Sequence, residues 1–93
     1  MDFSKIKVVE LASVLAGPAV GTFFAELGAE VIKVENKHTR GDVTRGWKVK
    51  GEEDRSVSAY YASVNHSKKS IHADFNNAED LKKIQDEIQS ATF

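Results

Sequence analysis

The sequence predicts an α/β fold built on a parallel β-sheet, and three features of residues 6–35 carry that prediction. Residues 6–11 are a short apolar run rich in β-branched side chains, residues 12–18 end in a Gly-Pro turn that opens an apolar segment of helical length, and residues 31–34 form a second β-branched run. Strand, turn, helix and strand in that order make a βαβ unit, because parallel neighbours need a crossover connection rather than a hairpin. Such crossovers are right-handed, and ligands of parallel sheets collect at the carboxyl ends of the strands. The loop over residues 12–17 is expected at that end.

The first run carries Ile6, Val8 and Val9 and is too short for a stable helix, so it reads as a strand. Pro18 suits a first helical position, where its missing N–H costs nothing, and Gly28 follows Leu27 where a left-handed cap is wanted. These signals predict a helix over 18–27. Within it Gly21 and Ala25 form a small-residue stripe that admits a closely approaching sheet backbone, while Val20, Phe23, Phe24 and Leu27 supply apolar bulk. Residues 37–55 are polar and punctuated by glycine, with Lys37, Arg40, Arg45, Lys48, Lys50 and Arg55, and read as one long loop. Loops of that length are commonly functional. Ser56 is an apt N-cap for a short helix in which Val57, Tyr60, Tyr61 and Val64 fall at i, i+3, i+4 and i+7. After a turn over 65–69, Ile71, Ala73 and Phe75 alternate with His72 and Asp74, which predicts a third strand with one buried face. Asn76 or Asn77 caps a last helix over 78–90, striped by Leu81, Ile84 and Ile88. Glu79 and Asp80 sit at its positive end, and Glu79 lies four residues before Lys83.

Composition sets the class. The 93 residues are 41% hydrophobic and 29% charged, ordinary for one small globular core. A net charge of −1 argues against a nucleic-acid partner, whose domain is usually basic. No apolar run approaches the roughly 20 residues needed to span a bilayer, and nothing before Ile6 reads as a signal peptide. The absence of cysteine removes disulfides and thiolate metal sites and fits a cytoplasmic location. His38, His66 and His72 lack metal-ligand spacing, so no metal is expected.

Four blocks, in order, carry a family resemblance: VVELASVLAGP at 8–18, ELGAEVIKVE at 26–35, GDVTRGW at 41–47 and NHSKKSIHADF at 65–75. With them the chain resembles the N-terminal part of the family III CoA-transferases, which include formyl-CoA transferase, carnitine CoA-transferase and the α-methylacyl-CoA racemases. The resemblance implies a Rossmann-like βαβ start of that fold, truncated, with residues 1–93 an incomplete CoA-binding portion. It implies CoA or acyl-CoA as ligand and an interlocked homodimer as the assembly of full-length members. By the same resemblance Leu15 and Ala16 line the pantetheine path, Lys37 or Arg40 meets the nucleotide phosphates, and Ala73, Asp74, Phe75 and Asn76 border the adenine. Formyl-CoA transferase has glutamine at the Leu15 position and arginine directly after the strand-ending glutamate, where this chain has Asn36 and then Lys37. Leucine cannot donate the glutamine's hydrogen bond, so formyl or oxalyl specificity is not implied. The family's aspartate nucleophile, which forms an aspartyl-CoA thioester, belongs to a segment beyond residue 93. Asp42, Asp54, Asp74, Asp80 and Asp86 do not match its motif, so no catalytic residue is assigned and transferase activity is not expected of these residues alone.

Plainer readings stand beside each assignment. Gly17-Pro18 serves equally as an ordinary helix start; Lys37, Arg40 and Arg45 as a solvated loop face; Lys68 and Lys69 as surface charges; and Trp47, Tyr60 and Tyr61 as packing aromatics. A dinucleotide-binding fragment would also read strand, turn, helix, strand with Glu35 near a ribose, but the turn A-G-P-A-V-G lacks G-x-G-x-x-G. A noncatalytic module that pairs with a full-length subunit is the third reading. Exposed apolar surface and self-association are its expected marks.

Overall fold

The computed structural model describes residues 2–53 and 57–93; Asp54, Arg55 and Ser56, the last of them the predicted helix cap, lie outside the described residues. Among the described residues the order is β1 (Lys7–Glu10), α1 (Ala16–Glu26), β2 (Glu30–Asn36), α2 (Ala59–Asn65), β3 (Lys69–Ala73) and α3 (Ala78–Gln89). Short 3-10 turns lie at Phe3–Lys5, Lys37–Thr39 and Val43–Gly46. The strands form a parallel sheet ordered β1-β2-β3, with Val9 opposite Ile32 and Val34 opposite Ile71. The predicted parallel α/β architecture is what the chain adopts.

Register partners of a parallel ladder project to one face, and side chains alternate along each strand. Val9, Ile32, Val34, Ile71 and Ala73 therefore share a face. There Ile84 of α3 packs in one cluster with Val34 and Ala73, flanked by Val9 and Ile71. Asn77, rather than Asn76, caps α3, its side chain accepting from Asp80 N at 3.0 Å. The opposite face carries Val8, Glu10, Val31, Lys33 and Glu35 beneath α1 and α2. Burying charge in the central strand requires partners, and they determine the site described below.

Helix α1 starts earlier than predicted: Leu15 is its N-cap, which makes Pro18 the third helical residue rather than the first. Pro18 is still among the first-turn positions whose N–H has no intrahelical acceptor, so the ring is tolerated. At the other end Gly28, at φ +101°, lets its own N–H reach Ala25 O at 3.0 Å and Ala29 N reach Phe24 O at 3.1 Å. This pair of bonds is a Schellman motif, as the position of Gly28 predicted. The expected apolar bulk is placed differently. Val20 and Phe23 are each 59% exposed and Leu27 is 45% exposed, whereas Pro18 and Gly21 are buried. What approaches Gly21 is a side chain: a Cβ there would collide with Glu10 Oε1 and sit 3.3 Å from Lys68 Cε.

The segment predicted as one long loop contains two hydrogen-bonded 3-10 turns, capped by the side chains of Asn36 and Asp42. Helix α2 is capped by Ser58, whose hydroxyl accepts from Tyr61 N at 3.0 Å. Tyr61 is buried, but Trp47 is 48% exposed and lies edge-on to Tyr60, so it is not core. At the C-terminus Phe93 N donates to Lys7 O and Val9 N donates to Phe93 O at 3.0 Å. Bonds flanking one residue in this way have the parallel-ladder pattern, so Phe93 runs alongside β1 in the strand direction.

Candidate functional site

Two linked groups of charges lie under the carboxyl ends of the strands. Lys33, fully buried in β2, donates to Glu10 Oε2 at 3.0 Å, Asp42 Oδ2 at 3.0 Å and Ala12 O at 2.9 Å. Lys68 donates to Glu10 Oε1 at 2.8 Å, Pro18 O at 2.7 Å and Asn65 Oδ1 at 2.8 Å. Each ammonium has three N–H groups, and here each is fully used. Two lysines face two carboxylates, so the group is neutral and its desolvation is offset by pairing. Burial nevertheless pushes the Lys68 ammonium below its ordinary value, with Glu10 opposing it.

The second group centres on Glu35, also in β2. Arg45 grips it with both prongs, Nε to Oε1 at 2.7 Å and Nη2 to Oε2 at 2.6 Å. Asp42 N donates to Oε1 at 2.6 Å and the Tyr61 hydroxyl donates to Oε2 at 2.9 Å. Burial alone would raise this carboxyl, but the guanidinium, the amide and the hydroxyl together bring it down to about 2. Burial, and then the hydrogen bond to the ionised Glu35, push the Tyr61 hydroxyl up to about 12, with Arg45 opposing. Asp42 is likewise held below the ordinary carboxylate range: burial opposes this, but Thr44 and Lys33 prevail.

Above these charges opens a cleft of about 220 Å³, lined on one side by Leu11, Ala12 and Ser13 and on the other by Thr39, Gly41 and Val43. Val34, Glu35, Asn36, Asp42 and Phe75 complete its lining. It lies where the strand ends predicted a ligand. Its lining mixes apolar residues with Ser13, Asn36 and Thr39, and the carboxylates of Glu35 and Asp42 are occupied on both oxygens. The arrangement suits binding of an uncharged or amide-rich segment better than nucleophilic attack.

The structure brings together only part of the predicted site. Phe75 lines the cleft. Leu15 and Ala16 open α1 beside it, and Leu15 faces a separate shallow apolar depression with Ala19, Phe23 and Val64. Lys37 and Ala73 line a third depression, of about 310 Å³, against α3, where Lys37 pairs with Asp80 at 3.4 Å. Asp74 accepts from His38 at 2.9 Å and from Asn76 N at 2.9 Å. Arg40 caps the Lys37–Thr39 turn in a left-handed conformation and is exposed. Two plainer readings are corrected. Lys68 is no surface charge, its side chain being 1% exposed, and Arg45 is committed to Glu35 rather than to solvent or a phosphate. Lys69, 72% exposed and paired with Glu30, is the surface charge expected.

Glu10, Lys33, Glu35 and Asp42 were not singled out from the sequence as a cluster. The usable signal was alternation: charges at 33 and 35 alternate with Ile32 and Val34 in the strand, which marks one polar face. Among the described residues, no group of three or more His, Cys, Asp or Glu side chains is placed to hold a metal ion, and no helix is long and apolar enough to cross a membrane.

Comparison with known proteins gives the family and the fold. Residues 3–91 match the profile of CoA-transferase family III. The chain is 42% identical over 92 residues to a succinate–glutarate CoA-transferase of Agrobacterium fabrum, covering 95% of this chain and 23% of that protein. It is 42% identical over 83 residues to the human succinyl-CoA:glutarate CoA-transferase, covering 87% of this chain and 18% of the relative. The crystal structure of a CaiB/BaiF family protein from Brucella suis superimposes with a TM-score of 0.79 at 43% identity, over 92% of this chain and 23% of that one. The chain thus spans less than a quarter of the length of these relatives.

Proposed function

Because the chain belongs to CoA-transferase family III, we propose that its cleft forms part of the CoA site of an enzyme that moves CoA between an acyl-CoA and a carboxylic acid. The observation that supports this most is the position of the cleft at the carboxyl ends of parallel strands, walled by the 11–13 backbone and by the turn that begins at Gly41. An extended, amide-bearing chain such as pantetheine fits a groove lined by both apolar residues and uncharged polar ones such as Ser13, Asn36 and Thr39. Lys37 and Arg40, both exposed in the segment that follows β2, are the basic residues this reading assigns to the phosphates, and Phe75 offers an apolar border for a ring.

The chain's part in the reaction is binding and orientation. Glu35 and Asp42, the carboxylates in the cleft, are both held ionised and already hydrogen-bonded, which leaves neither free as a nucleophile. The acyl-transferring carboxylate is therefore assigned to other residues, and this chain alone is expected to bind CoA without turnover. Exposed Val20, Phe23 and Phe93 favour self-association or pairing with a longer subunit. Titration calorimetry with CoA, and with NADH as control, tests the reading: saturable heat with CoA alone supports it, and binding of neither, or of both alike, refutes it.

A further inference from the structure

We propose that Asp42, acting with Lys33, is a positioning residue that clamps the turn at residues 12–14 and so sets the near wall of the cleft. The inference rests on the reading of that cleft as a CoA site. Lys33 Nζ donates to Ala12 O at 2.9 Å, Asp42 Oδ2 accepts from Val14 N at 3.3 Å, and the two side chains pair at 3.0 Å. Both side chains are fully buried. One ion pair thus holds both ends of a three-residue turn, its cation on the carbonyl and its anion on the amide.

The turn needs such a clamp. Val14 sits at φ +71°, a left-handed conformation that a β-branched residue avoids, so it persists only where its surroundings over-determine it. Ala12 is fixed from the other side by Gly17, where any Cβ would collide with the Ala12 methyl. Asp42 is anchored in turn, because its other oxygen accepts from Thr44 N at 2.9 Å and Thr44 Oγ1 at 2.8 Å. A single carboxylate therefore orders its own 3-10 turn with one oxygen and the opposing wall with the other. Ala12 and Ser13 line the cleft with Val14 held in this conformation.

The test compares Asp42→Asn with the double variant Asp42→Asn/Val14→Gly in the whole 93-residue chain, with CoA affinity and hydrogen exchange of the backbone amide at position 14 as readouts. Loss of a charge-assisted bond predicts CoA binding weakened about tenfold or more in Asp42→Asn, with faster exchange of the Val14 amide. Glycine adopts positive φ freely, so the double variant is expected to recover to within about threefold of the parent. Equal weakening in both variants, or none in Asp42→Asn, overturns the positioning role. Should Asp42→Asn fail to fold, the unmodified chain decides: a Val14 amide whose shift follows the Asp42 carboxyl on acid titration supports the clamp, and one that is flat through it overturns the clamp. If the parent chain binds no CoA while the Val14 amide behaves as stated, the CoA reading fails and the clamp stands.

Discussion

Replacing Glu35 with glutamine is expected to flatten the acid limb of the stability curve. In the native chain the Glu35 carboxyl is brought from 4.5 to about 2 by Arg45, Asp42 N and Tyr61, against the effect of burial. A depressed carboxyl favours the folded state when ionised, so its contribution is complete above about 4.5 and is lost as pH falls toward 2. The displacement corresponds to about 3 kcal/mol, large beside the roughly 5–15 kcal/mol that stabilise a typical domain. The side chain is 1% exposed, so solvent screening does not erase this contribution. Urea unfolding of the parent and of Glu35→Gln from pH 6 to pH 2 reads it directly. The parent should lose about 3 kcal/mol more than the variant over that interval, whatever offset the variant shows at neutral pH. Parallel curves would refute the assignment of that acid sensitivity to Glu35.

Other outcomes follow from the same contacts. Gly21→Ala would drive a methyl into Glu10 Oε1, and thermal unfolding should show a loss of about 1–3 kcal/mol. Lys68→Met removes one partner of a buried ion pair and leaves Glu10 half satisfied, which should cost about 3–5 kcal/mol in chemical denaturation. Tyr61, pushed up to about 12, keeps its proton in the folded state, so it contributes stability below pH 10 that disappears as pH rises through its folded value. Alkaline difference absorbance should show a tyrosinate step near 12 that Tyr61→Phe abolishes. Asn77→Ala removes the α3 cap and should cost about 0.5–2 kcal/mol by the same unfolding assay.

The sheet was legible because its strands are short β-branched runs and its crossover carries a Gly-Pro entry and a Gly exit, all local signals. Element ends moved by a residue or two, as for β2, which extends through Asn36 because its ladder with β3 continues to Ala73. The charge network was far less legible. Arg45 and Lys68 look like solvated cations in a linear reading, since nothing local distinguishes them from the exposed Lys69. Their burial is decided by Glu35 and Glu10, carboxylates 10 and 58 positions away that the sheet brings beneath them. The aromatic and apolar positions of α1 misled for a related reason. Periodicity assigns a face to the core, but Gly21 is the residue pressed onto the sheet by the buried Glu10, and this turns Val20 and Phe23 outward. Among the predicted site residues Phe75 reached the cleft, because β3 ends at Ala73 and Phe75 lies past it, free of the strand's alternation, whereas Ala73 keeps the face covered by α3 and Lys37, in the 3-10 turn after β2, pairs with Asp80 of α3.

A CoA titration followed in the ¹H–¹⁵N spectrum of the chain, with NADH as control, probes the central claim most directly. Saturable, CoA-specific shifts of the amides of Leu11, Ala12, Ser13, Thr39, Gly41, Val43 and Phe75 are the predicted result. A dispersed spectrum in which those amides stay still, or move equally with NADH, would contradict a CoA site at the carboxyl ends of this sheet.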